Sequence, residues 1–299
     1  MRIAVMGAGA VGCYYGGALA RAGREVRLIG RARHVDAVNR HGLLLETDAG
    51  GERVRLSATT GADGVRGAGL VLCCVKSADT ARAAADMEEH LDADAIVVSL
   101  QNGVGNPGAL RASLAREVLP AAVYVAARMA GDGHVRHHGG GKLVLGDTPR
   151  AGQVAEIFAG AGIPVEISGN IEGELWTKLI VNCAYNALSA LSGLPYARLT
   201  REAGVARALR DVAGECLAVA EKAGVAPAGD VWASIERIPF AMPGQLSSTA
   251  QDLQRGHPTE IDHLNGFIAR RGEELGVPTP VNRLLHTLVK ILETRSATH

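Results

Sequence analysis

Apolar residues in the first half of the chain fall in short runs rich in Val, Ile and Leu, separated by stretches whose apolar spacing is helical. The runs Ile3–Met6, Glu25–Ile29, Leu70–Val75, Ala95–Leu100 and Val118–Ala126 predict strands. Between them, Ala10–Ala22, His34–His41, Thr80–His90 and Pro107–Leu114 predict helices. Alternation of this kind folds as a parallel sheet wrapped by helices. The turn Gly131-Asp-Gly133, then His134–His138, Gly139-Gly-Gly141 and Lys142–Leu145, predict an antiparallel meander at the end of the sheet. After about Gly169 the strand pattern stops. Helical segments follow at Ile171–Leu191, Glu202–Ala223, Leu246–Arg255, Glu260–Leu275 and Val281–Thr294, punctuated by glycines and prolines. The expected organisation is an α/β domain over 1–169 and an all-helical domain over 170–299, with a substrate cleft between them.

Composition narrows the class. A chain of 299 residues has room for two domains, and 47% hydrophobic residues with only 3% aromatic predict a core of Ala, Val, Leu and Ile. Lys plus Arg equals Asp plus Glu at 31 each, so the chain lacks the charge footprint of a nucleic-acid binder. Cys13, Cys73, Cys74, Cys183 and Cys216 form no CxxC pair, which fits a reduced, cytoplasmic protein better than a disulfide framework. No apolar run approaches the roughly 20 residues that span a bilayer. The N-terminus enters a strand directly, without a signal-peptide layout. The expected partner is a small molecule, with no nucleic acid and no membrane. Leu284, Leu285, Leu288, Ile291 and Leu292 pack internally or across a dimer, so monomer and homodimer both stay open.

Gly7-Ala8-Gly9-Ala10-Val11-Gly12 directly follows the first strand and opens a helix. In that context GxGxxG is a dinucleotide-binding fingerprint, whereas alone it is a weak signal. Gly7 permits the tight turn, Gly9 admits the pyrophosphate to the backbone, and Gly12 allows close helix–strand packing. The 1–169 segment is therefore expected to be a Rossmann-type domain. An NAD site usually carries Asp or Glu at the end of the second strand, for the ribose 2′-hydroxyl. Here the sequence is Leu28-Ile29-Gly30-Arg31, with Arg33 close behind. A planar guanidinium matches a 2′-phosphate, so the cofactor expected is NADP(H); a solvated surface arginine is the plain alternative.

Lys178, Asn182 and Asn186 recur at i, i+4 and i+8 within an otherwise apolar helix, so they share one stripe. A lysine and two asparagines in such a helix call for a polar cleft; by spacing alone a solvated stripe is equally good. Asn102, just past a strand's carboxyl end, occupies a ligand-binding position of doubly wound sheets, although Asn-Gly is commonly only a turn. Thr259-Glu-Ile-Asp262 reads as a capping box, in which Glu260 favours a helix N-terminus. Ser247 and Ser248 likewise suit the start of a helix. His134, His137 and His138 lack the partners of a metal site, and no metal is expected.

Nearly the whole chain resembles the ketopantoate reductase (2-dehydropantoate 2-reductase) family. The resemblance is carried by Gln101-Asn-Gly-Val-Gly105, Glu174-Leu-Trp-x-Lys-Leu-x-x-Asn182 with Asn186, Ser247-Ser248 with Gln251-Asp252, and Thr259-Glu-Ile-Asp262 with Asn265-Gly266. It implies NADPH-dependent reduction of 2-dehydropantoate to D-pantoate, a step of pantothenate and coenzyme A biosynthesis. By the same resemblance Lys178 donates the proton to the carbonyl oxygen, and Asn182, Asn186 and Ser248 contact substrate. Asn102 touches substrate and nicotinamide, Glu260 lies by the cofactor and reacting centre, and Arg31 and Lys76 bind the adenosine phosphate region. Ala127 contacts cofactor through its backbone. The chain departs from some members at Ser192-Gly-Leu-Pro-Tyr196, where they have a substrate-contacting Asn. A related reductase of another 2-oxo acid or carbonyl is therefore the alternative. A non-catalytic NADP-binding sensor is opposed by the joint presence of Lys178, Asn102, Ser248 and Glu260.

Overall fold

The computed structural model of the protein describes residues 1–296 and divides into two compact units, Met1–Ile171 and the chain from Glu172 onward. The first unit contains, in order, β1 (Arg2–Met6), α1 (Ala10–Arg21), β2 (Val26–Ile29), α2 (Ala32–His41), β3 (Leu43–Thr47), β4 (Gly50–Val54) and β5 (Ser57–Thr59). It continues with β6 (Ala68–Cys73), α3 (Thr80–Glu88), β7 (Ile96–Ser99), α4 (Asn106–Leu114), β8 (Val118–Gly131), β9 (His134–Gly146), α5 (Ala151–Ala159) and β10 (Val165–Ser168).

Six strands run parallel in the order β5-β2-β1-β6-β7-β8. Counted among themselves, this is the 3-2-1-4-5-6 order of a Rossmann sheet, and its switch point lies between β1 and β6. Both faces are covered, so the strands are apolar throughout rather than alternating. Ile3 and Val5 of β1 and Leu70 and Leu72 of β6 enter one apolar cluster with Leu19 of α1 and Phe158 of α5. The intervening Ala4, Met6, Val71 and Cys73 enter a second cluster with Met87 of α3 and Leu110 of α4.

The expected antiparallel ending is present where β9 pairs with β8, but the sheet extends further. The β3–β4 hairpin joins β9 through a parallel β3, and β10 pairs parallel with β9 on its other half. These strands, together with β5 and α5, went unread in the sequence. β5 has three residues, and β10 leaves Glu166 and Ile167 exposed, so neither shows an apolar run.

The second unit is helical: α6 (Ile171–Ser192, its first residue shared with the first unit), α7 (Tyr196–Leu199), α8 (Val205–Lys222), α9 (Val231–Ala241), α10 (Ser248–Gln254), α11 (Asn265–Leu275) and α12 (Pro280–Ser296). α8 starts three residues later than expected, because Gly204 takes a left-handed conformation at its N-cap. α9 was unread, its pattern broken by Pro239, although Asp230 caps it by accepting from Ala233 N at 3.0 Å. The expected helix Glu260–Leu275 is interrupted. Ile261–His263 forms a single 3₁₀ turn, Leu264 is non-helical, and α11 begins only at Asn265. On α12, Leu285 and Val289 are buried whereas Leu284, Leu288 and Ile291 are exposed, so the stripe packs internally only in part. No helix among the described residues is long and apolar enough to cross a membrane. All five cysteines are free, and four are buried.

A Cβ on Gly12 would collide with the Gly7 carbonyl and lie 2.9 Å from Val5 Cγ1, whereas a Cβ on Gly9 would meet nothing within 4 Å. Gly12→Ala is expected to cost about 1–3 kcal/mol through overpacking against backbone. Gly9→Ala is expected to leave thermal stability near wild type. Melting of the two variants side by side checks the contrast.

Candidate functional site

The first unit gathers its candidate residues along the carboxyl edge of the sheet. The chain leaves β1 through Gly7, whose φ of +108° suits glycine, and whose Cβ would fall 2.6 Å from Val75 N. Gly7 N and Ala8 N donate to Ile29 O at 3.1 and 2.9 Å, which ties the turn to the end of β2. α1 then opens with Cys13 N bonded to Gly9 O at 2.8 Å, so the amides of its first turn point out of the helix end. That end favours an anion, and Gly9 leaves the approach open. The loop after β1 thus fits a dinucleotide pyrophosphate. Gly30 presses on the same loop, since a Cβ there would lie 2.7 Å from Ala8 Cβ. Arg31 follows, exposed and extended, as the residue before α2. Arg33 pairs with Asp132 at 3.2 Å. Lys76 and Asn102 follow β6 and β7 on the same edge, both partly buried. Ala127 lies on the antiparallel extension of β8 opposite His137, against the apolar cluster that Ala10 and Val11 also touch.

The second unit carries the remaining candidates. Lys178, Asn182 and Asn186 all lie within α6, which is continuous over Ile171–Ser192, so the stripe is real. Lys178 and Asn182 are partly buried, and Asn186 is buried. Burial pulls the Lys178 ammonium down to about 8, against the opposing pull of the Glu260 carboxylate. Asn186 Nδ2 donates to Ser248 Oγ at 3.5 Å. Ser248 is exposed, whereas Ser247 is fully buried and fixes the junction. Ser247 Oγ donates to Asn186 O at 3.0 Å and caps α10 by accepting from Ala250 N at 3.1 Å. The capping box expected at Thr259–Asp262 does not form. Thr259 Oγ1 accepts from Ile261 N and donates to Glu293, and the Asp262 carboxylate turns to His286 and Lys290. Glu260 therefore sits on a bent, non-helical segment rather than in a first helical turn.

Comparison with known proteins bears on both units. The ketopantoate reductase PanE/ApbA family model matches residues 3–150, and its C-terminal counterpart matches residues 170–293. The chain belongs to the ketopantoate reductase family. A 2-dehydropantoate 2-reductase of Halobacterium salinarum is 33% identical over 98% of this chain and 99% of its own. Among solved structures, a PanE/ApbA family ketopantoate reductase from Ralstonia eutropha is 56% identical, with a TM-score of 0.96 and complete coverage of both chains. A D-mandelate dehydrogenase solved with NADH and anilino(oxo)acetate is 26% identical, with a TM-score of 0.92 and 99% of each chain covered.

In this family member the groups left without a role by the sequence are buried polar ones that hold the motifs in place. Gln101 Nε2 donates to Val75 O at 3.1 Å and to Thr80 Oγ1 at 2.7 Å, and Thr80 Oγ1 donates to Asn106 Oδ1 at 3.0 Å. Asn106 Nδ2 reaches Ser77 Oγ and Asn102 O, and Ser77 Oγ also donates to Asn102 O at 3.1 Å. Gln101, Thr80, Asn106 and Ser77 are all buried, so the loops carrying Lys76 and Asn102 are bolted together. The available signal was four polar residues close to strand ends in an apolar domain. Of the histidines weighed for metal, His134 pairs with Glu46 at 2.6 Å; no group of three or more metal-binding side chains occurs among the described residues.

Asn106→Ala removes three of these bonds and takes one buried partner from each of Thr80 and Ser77. We expect it to destabilise the protein by about 2 kcal/mol or more. Chemical denaturation monitored by far-UV circular dichroism measures this, with Arg111→Ala on the exposed side of α4 as the neutral control.

Proposed function

We propose that the protein is an NADPH-dependent reductase of a 2-oxo acid, with 2-dehydropantoate the first substrate to test and D-pantoate the product. That reaction belongs to pantothenate biosynthesis, and a soluble cytoplasmic setting suits it. The observation that carries the reading is the partly buried Lys178, drawn down to about 8 and sharing a helix face with Asn182 and Asn186. When bound, a reduced nicotinamide supplies hydride to the ketone carbon. Lys178 stabilises the charge that develops on the carbonyl oxygen and hands its Nζ proton to that oxygen. An ammonium near 8 is still mostly charged at neutral pH yet gives up its proton readily. Glu260 holds Lys178 in the charged form before transfer. Asn182, Asn186 and Ser248 offer neutral donors for the substrate carboxylate and hydroxyl groups, so no second full charge competes with Lys178.

The dinucleotide is assigned to the Gly7–Gly12 loop and the first turn of α1, with Lys76, Asn102 and the Ala127 backbone as further contacts. The preference for NADPH is supported by Arg31 at the end of β2, where the chain has no carboxylate. The D-mandelate dehydrogenase neighbour favours a second reading, in which a bulkier 2-oxo acid is reduced and NADH serves. The Ser192–Tyr196 segment, which lacks the asparagine of some relatives, fits that reading as well.

NADPH oxidation by the purified protein with 2-dehydropantoate beside a panel of alkyl and aryl 2-oxo acids tests the assignment. Turnover with none of them would end it. Lys178→Ala is expected to abolish most turnover with NADPH binding nearly intact. Because the donor must be protonated, kcat for reduction is expected to fall about tenfold per pH unit above about 8, while oxidation of the hydroxy acid rises over the same range. Arg31→Ala is expected to weaken NADPH by roughly 1.5–3 kcal/mol and NADH much less. Equal losses for both cofactors in fluorescence titrations would remove Arg31 from the 2′-phosphate.

A further inference from the structure

Glu260 lies outside any α-helix, directly before the single 3₁₀ turn Ile261–His263. Within residues 258–264, His263 N bonds Glu260 O at 2.9 Å, Leu264 N bonds Ile261 O at 3.2 Å and Ile261 N bonds Thr259 Oγ1 at 3.2 Å, and from α11 Arg270 Nη2 donates to Asp262 O at 2.8 Å. Further anchors come from one face of α12. Glu293 Oε1 accepts from both Thr259 N (2.8 Å) and Thr259 Oγ1 (2.5 Å). Lys290 Nζ bridges Glu293 Oε2 at 2.6 Å and Asp262 Oδ2 at 2.9 Å, and His286 Nε2 meets Asp262 Oδ1 at 2.6 Å. His286, Lys290 and Glu293 are spaced i, i+4 and i+7, which puts them on one stripe of the helix. The segment is thus gripped on both sides of Glu260, at Thr259 and at Asp262.

The platform is itself anchored. Glu215 of α8 accepts from Val281 N and Asn282 N at the start of α12, and from Asn282 Nδ2 at 2.8 Å. Asn265 Nδ2 joins Asn282 Oδ1 at 2.9 Å to Cys183 O of α6 at 3.1 Å, five residues along that helix from Lys178. Gly266 leaves room for His286, whose ring would lie 2.8–2.9 Å from any Cβ there. The Asn265-Gly266 pair therefore links α6 and α12 and admits the histidine that reaches Asp262.

We propose that Glu293, seconded by Lys290, is a positioning residue that clamps the Thr259–Asp262 segment and so sets the Glu260 carboxylate toward Lys178. The proposal rests on the reading of Lys178 and Glu260 as the proton-donating pair. Burial works against both clamp carboxylates, but the His286 and Lys290 contacts hold Asp262, and the Lys290 and Thr259 contacts hold Glu293, below the usual carboxylate range. Both depressed carboxylates keep their charge through neutral pH and lose it only as the pH falls through their lowered values. The Lys290 ammonium is raised by the same contacts with Glu293 and Asp262. The clamp therefore holds across the working range.

The test reads Lys178 directly in the full-length protein without substrate, from the pH dependence of its acetylation by acetic anhydride, followed by mass spectrometry. Glu260→Gln sets the value for Lys178 without its counter-charge. In Glu293→Ala and Thr259→Val the Lys178 titration is expected to move at least halfway from wild type toward that value, while Thr259→Ser keeps it at wild type. With a 2-oxo acid that the wild type reduces, kcat at pH 8 is expected to fall several-fold in the two clamp variants, with KM for NADPH unchanged. Loss of packing alone would lower the melting temperature without moving the Lys178 titration. The proposal is overturned if Lys178 titrates as in wild type in folded Thr259→Val, or if Glu260→Gln leaves that titration unmoved. Should the wild type reduce no 2-oxo acid, the substrate assignment falls, and the labelling still decides the clamp.

Discussion

No side chain fits between Gly12 and the carbonyl of Gly7, and the first unit is organised around that closeness. It lets α1 start against the exit of β1, so the helix end and the strand end share one point on the sheet. The helix macrodipole and free amides of the first turn then face the edge where β1 and β6 diverge. The other pieces of that edge are built to the same tolerance. Gly30 rests on Ala8, and Val75 N lies where a Gly7 Cβ would be, so the loops after β1, β2 and β6 cannot shift independently. The cofactor site proposed for this loop is made of backbone and needs that rigidity, because backbone groups cannot adjust by changing rotamer.

The helical unit meets the opposite problem. Its candidate chemistry lies in side chains, several of them polar and withdrawn from water, and each needs partners. Ser247 ties α10 to Asn186, and Asn265, Asn282 and Glu215 knit α6, α8, α11 and α12. These contacts are bonds between elements rather than within them. Asn265 and Asn282 are both fully buried, so an apolar replacement would remove a side-chain donor from a carbonyl of α6 or from the Glu215 carboxylate of α8.

What could be read from the sequence followed from periodicity and punctuation. Five strands of the Rossmann sheet and the Lys178 stripe were legible, because the strands are short apolar runs and the stripe repeats at the helical period. β5 was not, being three residues long and held by its pairing with β2. The β3–β4 hairpin and β10 were missed for a related reason, since they complete a sheet edge through long-range pairing. Thr259-Glu-Ile-Asp262 shows the limit most clearly. Locally it has the spacing of a capping box, but Glu293, 34 residues on, takes the Thr259 hydroxyl and backbone amide. A charged acceptor from another helix outcompeted the local motif, and nothing in the segment itself announces it. The helix expected at Glu202–Ala223 is present as α8, but it starts three residues later because Gly204 is its N-cap.

The depressed ammonium of Lys178 sets the balance between stability and chemistry. An unfolded lysine titrates near 10.4, and the folded one near 8. Between those values the unfolded chain binds more protons, so this group's contribution to stability rises with pH and is unfavourable at neutrality. The fold thus carries a cost at neutral pH, where the proposed reaction needs Lys178 charged. Glu260 reduces that cost, because its carboxylate favours the ammonium that burial disfavours. A stronger counter-charge would restore stability yet make the ammonium a poorer proton donor. A more deeply buried lysine would be neutral at pH 7 and could donate nothing. In the proposed mechanism Glu260 works between these limits, its charge favouring the Lys178 ammonium while burial keeps the proton labile.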